Sequence, residues 1–119
     1  MLFDTTQLAL QGVISGAARR QEALASNLAN ANTPGYQRVD VDFHSALAAA
    51  LGSGRDLEHL SFTPQVDRTA GAVQADGNTV DPESESAKLA QNALEQQAAV
   101  QVAAARIAIL KSALGVGGA

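Results

Sequence analysis

Cysteine is absent from the 119 residues, so disulfides and thiolate chemistry are excluded. Aromatic residues are only 3% of the chain, and there is no basic arm. The stacking set and the cationic stripe that nucleic acid requires are therefore missing. A net charge of −4 argues in the same direction, and also against anionic lipid as the main partner. No apolar run approaches the roughly 20 residues of a membrane span. The N-terminus lacks the basic start and continuous apolar core of a Sec signal. Cytosolic residence, or export by a route that cleaves no signal, is the expectation.

Reactive constellations are missing as well. His44 and His59 have no second histidine at ligand spacing, so no metal site is expected. Asp40 and Asp42 share one face of an extended stretch and read as solvated charges rather than as paired catalytic carboxylates. The glycine-rich end, Gly115 to Gly118, follows a helix and lacks the lysine of a phosphate loop. No serine stands in a motif that would activate it. Glycan cleavage would need a positioned acid pair, and none is offered. The chain reads as a non-enzyme with no cofactor.

What is present is helix. Hydrophobic residues make up 46% of the chain, and many are alanine, which buries little surface but permits close packing. Asp81 to Leu114 reads as one helix of roughly 50 Å at about 1.5 Å per residue. Its four–three rhythm runs through Leu89, Ala93, Gln96, Val100, Ala103, Ile107, Leu110 and Leu114, the spacing of a coiled-coil seam. A second apolar row, Leu94, Ala98, Val102, Ala105 and Ile109, lies beside it. Asp81 suits an N-cap, Pro82 the first helical position, and Glu83 and Glu85 the positive end of the dipole. Arg106 and Lys111 fall near the other end, and Gly115 is placed to close it. A rod this long exceeds the core of so small a chain and needs a partner surface.

Asp4 to about Asn30 reads as a second long helix. Asp4 with Gln7 resembles a capping box, and Phe3 with Leu8 a hydrophobic staple. The seam positions are Phe3, Gln7, Leu10, Ile14, Ala17, Gln21, Leu24, Leu28 and Ala31. Gly12 and Gly16 each cost the helix about 1 kcal/mol relative to alanine. Their i, i+4 spacing suits close approach of another helix; two tolerated surface glycines are the alternative. Arg19 and Arg20 read as a solvated face. The expected fold is mostly α: two long terminal helices packed as an antiparallel coiled-coil-like pair, with a small irregular or β insert between them. The expected divisions are 1–32, 33–80 and 81–119, forming one structural unit. Two helices cannot cover two wide apolar faces, so the pair should remain adhesive.

Between the helices lies SNLANANTPGYQRVDVDF, Ser26 to Phe43. Asn27, Asn30 and Asn32 are poor helix formers that bond to nearby backbone. Thr33 precedes proline and is pushed out of the helical region. Pro34 and Gly35 suit positions i+1 and i+2 of a type II turn that ends at Tyr36. Val39, Val41 and Phe43 then alternate with Asp40 and Asp42, as in a short half-exposed strand. Asp42 is placed to cap a short helix from about Phe43 to Leu51, ended by Gly52, and Gly52 to Arg55 reads as a flexible link. Phe62 to Asp67 suits a strand that Pro64 confines to an edge. Asp76-Gly77 between Val73–Ala75 and Asn78–Val80 is a hairpin signal. These pieces look too few for a separate hydrophobic core.

The stretch ASNLANANTPGY resembles the N-terminal signature of the axial proteins of the bacterial flagellum, the rod, hook and hook-associated proteins. QRVDVDF, with DGNTVDPESESAKLAQNALEQQAAVQVAAARIAILKSALG, is similar within that family to the proximal rod proteins of the basal body. The resemblance covers both ends of the chain and leaves about Leu47 to Ala75 unmatched. It implies a structural subunit exported by the flagellar type III pathway without a cleaved signal. It implies residence in the periplasmic rod, terminal helices packed around a central channel, and passive transmission of torque. The implied partners are copies of itself, other rod proteins, the ring–rod adaptor and the membrane-ring protein. The candidate assembly residues are Leu10, Ile14, Ala17, Leu24 and Leu28 on the first helix, and Leu89, Val100, Ile107, Leu110 and Leu114 on the last. The signature turn comprises Asn27, Asn30, Asn32, Thr33, Pro34, Gly35 and Tyr36. A helical adaptor or export chaperone that binds a partner's amphipathic helix is the alternative. It would explain the seams and the acidity, but not the asparagine-rich turn.

Overall fold

The computed structural model describes residues 4–54, 56–71 and 73–115. Position Phe3, and with it the Phe3–Leu8 staple, lies outside them, as do Val116, Gly117 and Gly118. Helix α1 spans Thr5–Ala29, strand β1 Val39–Asp40, helix α2 Phe43–Ser53, strand β2 Gln65–Val66 and helix α3 Pro82–Ala113. The molecule is elongated, 63 × 31 × 16 Å, because α3 alone is about 48 Å long.

Each helix starts at an aspartate whose side chain accepts an otherwise unpaired backbone N–H. Asp4 accepts from Gln7 N at 2.9 Å, Asp42 from Ser45 N at 3.2 Å and Asp81 from Glu83 N at 3.2 Å. The capping box at Asp4 is only half formed. The Gln7 side chain turns away to accept from Arg106 Nε of α3 at 3.1 Å. Helix α2 runs two residues beyond the expected end and stops at Gly54 in the left-handed region.

Helices α1 and α3 are antiparallel. Arg106 meets Asp4 at one end of the pair, and Glu85 meets Asn27 at the other. The main apolar cluster, however, takes no residue from α3. Among the described residues it comprises Ala17 and Ala23 of α1 with Val41, Phe43, Leu47 and Phe62 of the middle segment. Four of these six come from the middle segment, which forms no core of its own but packs on α1, and Phe43 meets Phe62 edge to face at 6.3 Å. Gly12 and Gly16 make this possible. A Cβ on Gly12 would stand 2.5 Å from Leu47 Cδ2, and one on Gly16 2.5 Å from Phe43 Cβ. Of the two readings of these glycines, close approach of a helix is the one observed, and the helix is α2.

Strands β1 and β2 pair antiparallel, Val39 opposite Val66 and Asp40 opposite Gln65. The predicted strand at Phe62–Asp67 is thus trimmed to the two residues after Pro64. The predicted hairpin at Asp76-Gly77 is not a pair of strands. It is a tight turn closed by Gly77 N to Gln74 O and Gln74 N to Asn78 O, each 2.9 Å. Its outer edge pairs with the signature turn instead, through Gly35 N to Asp76 O at 2.9 Å and Thr79 N to Tyr36 O at 3.0 Å.

Candidate assembly interface

The signature turn is a hydrogen-bonded splice between the two ends of the chain. Tyr36 N donates to Thr33 O at 3.2 Å, and Gly35 has φ +74°, as position i+2 of a type II turn requires. Asn27 is fully buried and treats Val39 as a strand neighbour would: its Nδ2 donates to Val39 O at 2.7 Å, and its Oδ1 accepts from Val39 N at 2.9 Å. Asn30 turns back to Ser26 O at 2.8 Å. Thr33 Oγ1 donates to Asn30 Oδ1 at 3.1 Å, while Asn32 and Pro34 are exposed. Asn78, also fully buried, reaches in from the far side. Its Nδ2 donates to Asn30 O at 2.9 Å and Thr33 O at 2.7 Å, and its Oδ1 accepts from Val80 N at 2.7 Å. Buried polar groups persist only when they are satisfied in this way.

A charged cluster continues the splice. Arg38 is buried and donates to Glu85 Oε1 at 2.5 Å, Asp67 Oδ2 at 2.5 Å and Asp40 Oδ2 at 3.2 Å. Arg20 of α1 donates to both oxygens of Asp40, at 2.7 and 3.2 Å. One cluster therefore ties α1, both strands and the start of α3 together. This corrects the expectation of solvated charges at Arg20 and Asp40. Both lose most of their water because the strand lies across α1. Burial works against ionisation of Asp40, yet the Arg20 and Arg38 guanidiniums and the Val41 N–H hold its carboxyl below the usual range. Asp67 is held low first by Thr69 and then by Arg38.

The α1–α3 contact is centred on small and polar side chains. Asn92 Nδ2 donates to Ala17 O and to Gln21 Oε1, each 2.8 Å. Gln96 Nε2 donates to Ile14 O at 3.1 Å, and Arg106 to Gln7 and Asp4. Ala99 and Ala103 fill the space between them. Of the candidate residues on α1, Ala17 and Leu24 are buried, Leu10 and Ile14 half-buried and Leu28 exposed. On α3, Leu89, Ile107 and Leu110 are half-buried, while Val100 and Leu114 are exposed. The second apolar row faces outward throughout. Leu94 is 66% and Ile109 67% exposed, with Ala98, Val102 and Ala105 exposed between them. Leu94, Ala98, Val102, Ala105 and Ile109 fall within about 80° of one another at 100° per residue, one continuous stripe.

Sequence reasoning missed Arg38, Asn78, Glu85 and Asn92. Asn78 and Asn92 interrupt a turn and a helical pattern, which was the available signal; Glu85 stands among polar residues in the first turn of α3 and Arg38 at a polar position of the strand alternation, so neither stood out. Elsewhere, Asp56, Glu58 and His59 bring ligand-type atoms within 4.8 Å of one another on an exposed turn. They are engaged with one another: Asp56 accepts from Glu58 N and pairs with the His59 ring, which it holds protonated to higher pH. No helix of the described residues is long and apolar enough to cross a membrane.

The pattern of the family described as "Flagella basal body rod protein" matches residues 14–37, which hold the second half of α1 and the signature turn. The flagellar basal body rod protein FlgB of Escherichia coli K12 is 35% identical over 115 residues, covering 82% of this chain and 83% of its own. The FlgB of Salmonella typhimurium is 36% identical over 110 residues, covering 77% and 80%. That of Yersinia enterocolitica is 34% identical over 125 residues, covering 90% and 91%. The signature turn and these relatives mark a flagellar basal body rod protein. Within that class the chain belongs to the FlgB family of basal body rod proteins. It is a structural rod subunit and not an enzyme, and the adaptor reading is not favoured.

Proposed function

We propose that this subunit sits in the proximal rod, in the periplasmic space, and is held there by the outward stripe of α3. The observation that carries this is the exposure of Leu94, Val102 and Ile109 on a helix whose opposite face is already held to α1. Each such side chain gains about 1.5–3 kcal/mol on full burial, and a lone subunit leaves most of that gain unrealised. Assembly would then stabilise α3 by mass action. The neighbours that would cover the stripe are copies of this chain, other rod proteins, the ring–rod adaptor and the membrane-ring protein. The candidate residues Leu10, Ile14, Leu28, Leu89, Val100, Ile107, Leu110 and Leu114 widen the contact at its margins. Torque would pass passively through these packed helices around the export channel.

A photoreactive residue at Leu94 or Val102, activated in motile cells, tests this reading. Adducts with basal-body proteins are expected at both positions, and none at the exposed Glu58 of the middle segment. Absence of adducts at Leu94 and Val102 in assembled basal bodies would overturn it.

A further inference from the structure

We infer that Asn92 and Arg106 are positioning residues that set the rotation of α3 about its own axis. By hydrophobicity alone, α3 should turn differently. Its most apolar four–three column runs through Ala93, Val100 and Ile107, yet the column that meets α1 runs through Asn92, Ala99 and Arg106. The two columns differ by about 50° of helix rotation, because Leu89, Gln96, Ala103 and Leu110 belong to both. The observed setting is the one in which Asn92 reaches Ala17 O and Gln21, and Arg106 reaches Gln7 and Asp4. Rotation toward the apolar column breaks all of these bonds together.

A second observation is that Asn92 leaves part of its hydrogen-bonding capacity unused. Its Oδ1 is buried with no hydrogen-bond partner. A buried unpaired carbonyl costs folding free energy. A polar residue in a helix seam that lowers stability while selecting one arrangement is a known device of coiled coils. Here the arrangement selected keeps Val100 and the Leu94 stripe turned away from α1. The consequence for rod assembly rests on the function proposed above; the rotation itself does not.

The cysteine-free chain permits a direct test on the purified full-length protein. Cysteines are placed singly at Ala99, which is buried, and Val100, which is exposed, and their rates of thiol labelling are compared. In the parent background, Val100→Cys should label at least tenfold faster than Ala99→Cys. With Asn92→Leu and Arg106→Leu added, the order should reverse. Asn92→Leu alone should narrow the ratio while raising Tm by about 3–8 °C. Arg106→Lys by itself should leave the parent ratio unchanged. Equal acceleration at both sites would mean that these residues merely hold the helix down, and would overturn the inference. An unchanged ratio in the double variant would overturn it too. If the ratio reverses but basal bodies still incorporate the double variant normally, the rotation stands and the assembly reading fails.

Discussion

Glu85→Ala removes the carboxylate at the centre of the buried splice. Glu85 is 1% exposed and binds Arg38 at 2.5 and 3.4 Å and Asn27 at 3.2 Å. Removing one partner of a buried pair costs about 3–5 kcal/mol, because the remaining charge stays desolvated. Arg38 keeps Asp67 and Asp40, so the low end, about 3 kcal/mol, applies here. A domain of this size has a total stability of about 5–15 kcal/mol, and the change should lower Tm by about 10–15 °C. Urea denaturation followed by far-UV circular dichroism measures the loss. Arg38→Met combined with Glu85→Leu should recover at least half of it, since the charge is then removed with its partner. Glu22→Ala supplies the contrast. The Arg19–Glu22 pair is 51% and 71% exposed, and its loss should cost less than about 0.5 kcal/mol. A loss for Glu85→Ala no larger than that for Glu22→Ala would mean that the buried splice holds the fold no more strongly than an exposed ion pair.

Three further outcomes are expected. Gly16→Ala should destabilise by about 1–3 kcal/mol, read by the same denaturation, because its Cβ would overlap Phe43 Cβ and ring atoms that are packed against Phe62. Gly35→Val meets no neighbour within 4 Å, so its cost of at least about 1–2 kcal/mol is conformational, from a β-branched residue at φ +74°; swarming of a complemented null strain should fall. Asp4, Asp40, Asp42 and Asp67 all have carboxyls held below 3.8 in the folded chain. Their contribution is therefore present above that value and lost as pH falls through the folded values, so the urea midpoint should drop steeply below about pH 4, and Asp40→Asn should flatten the drop.

The helices, their aspartate caps and the signature turn were legible because each is a local pattern. Three, four or seven residues contain the whole signal. The splice was not, because Arg38 and Glu85 stand 47 residues apart, and Glu85 had a sufficient local explanation at the positive end of a helix. Asn78 likewise looked like part of a hairpin turn until its amide was seen to close Asn30 and Thr33. The setting of α3 was misleading for a physical reason. Periodicity finds the most apolar face, and in a subunit built to assemble that face need not be the one buried within its own chain. The polar seam positions Gln7, Gln21 and Gln96 lie on the faces that touch.

We propose that the outward stripe of α3 is buried in the rod and nowhere else. Ile109→Asp tests it most directly. Ile109 is 67% exposed, so the free subunit should fold with a stability changed by less than about 0.5 kcal/mol. In the rod the same carboxylate would be buried without a partner, at a cost of several kcal/mol. Basal bodies purified from a null strain expressing the variant should lack it and carry no hooks, although the cells contain soluble, folded protein. Ile109→Asp present in rods at the parental level, with normal hooks, would contradict the account.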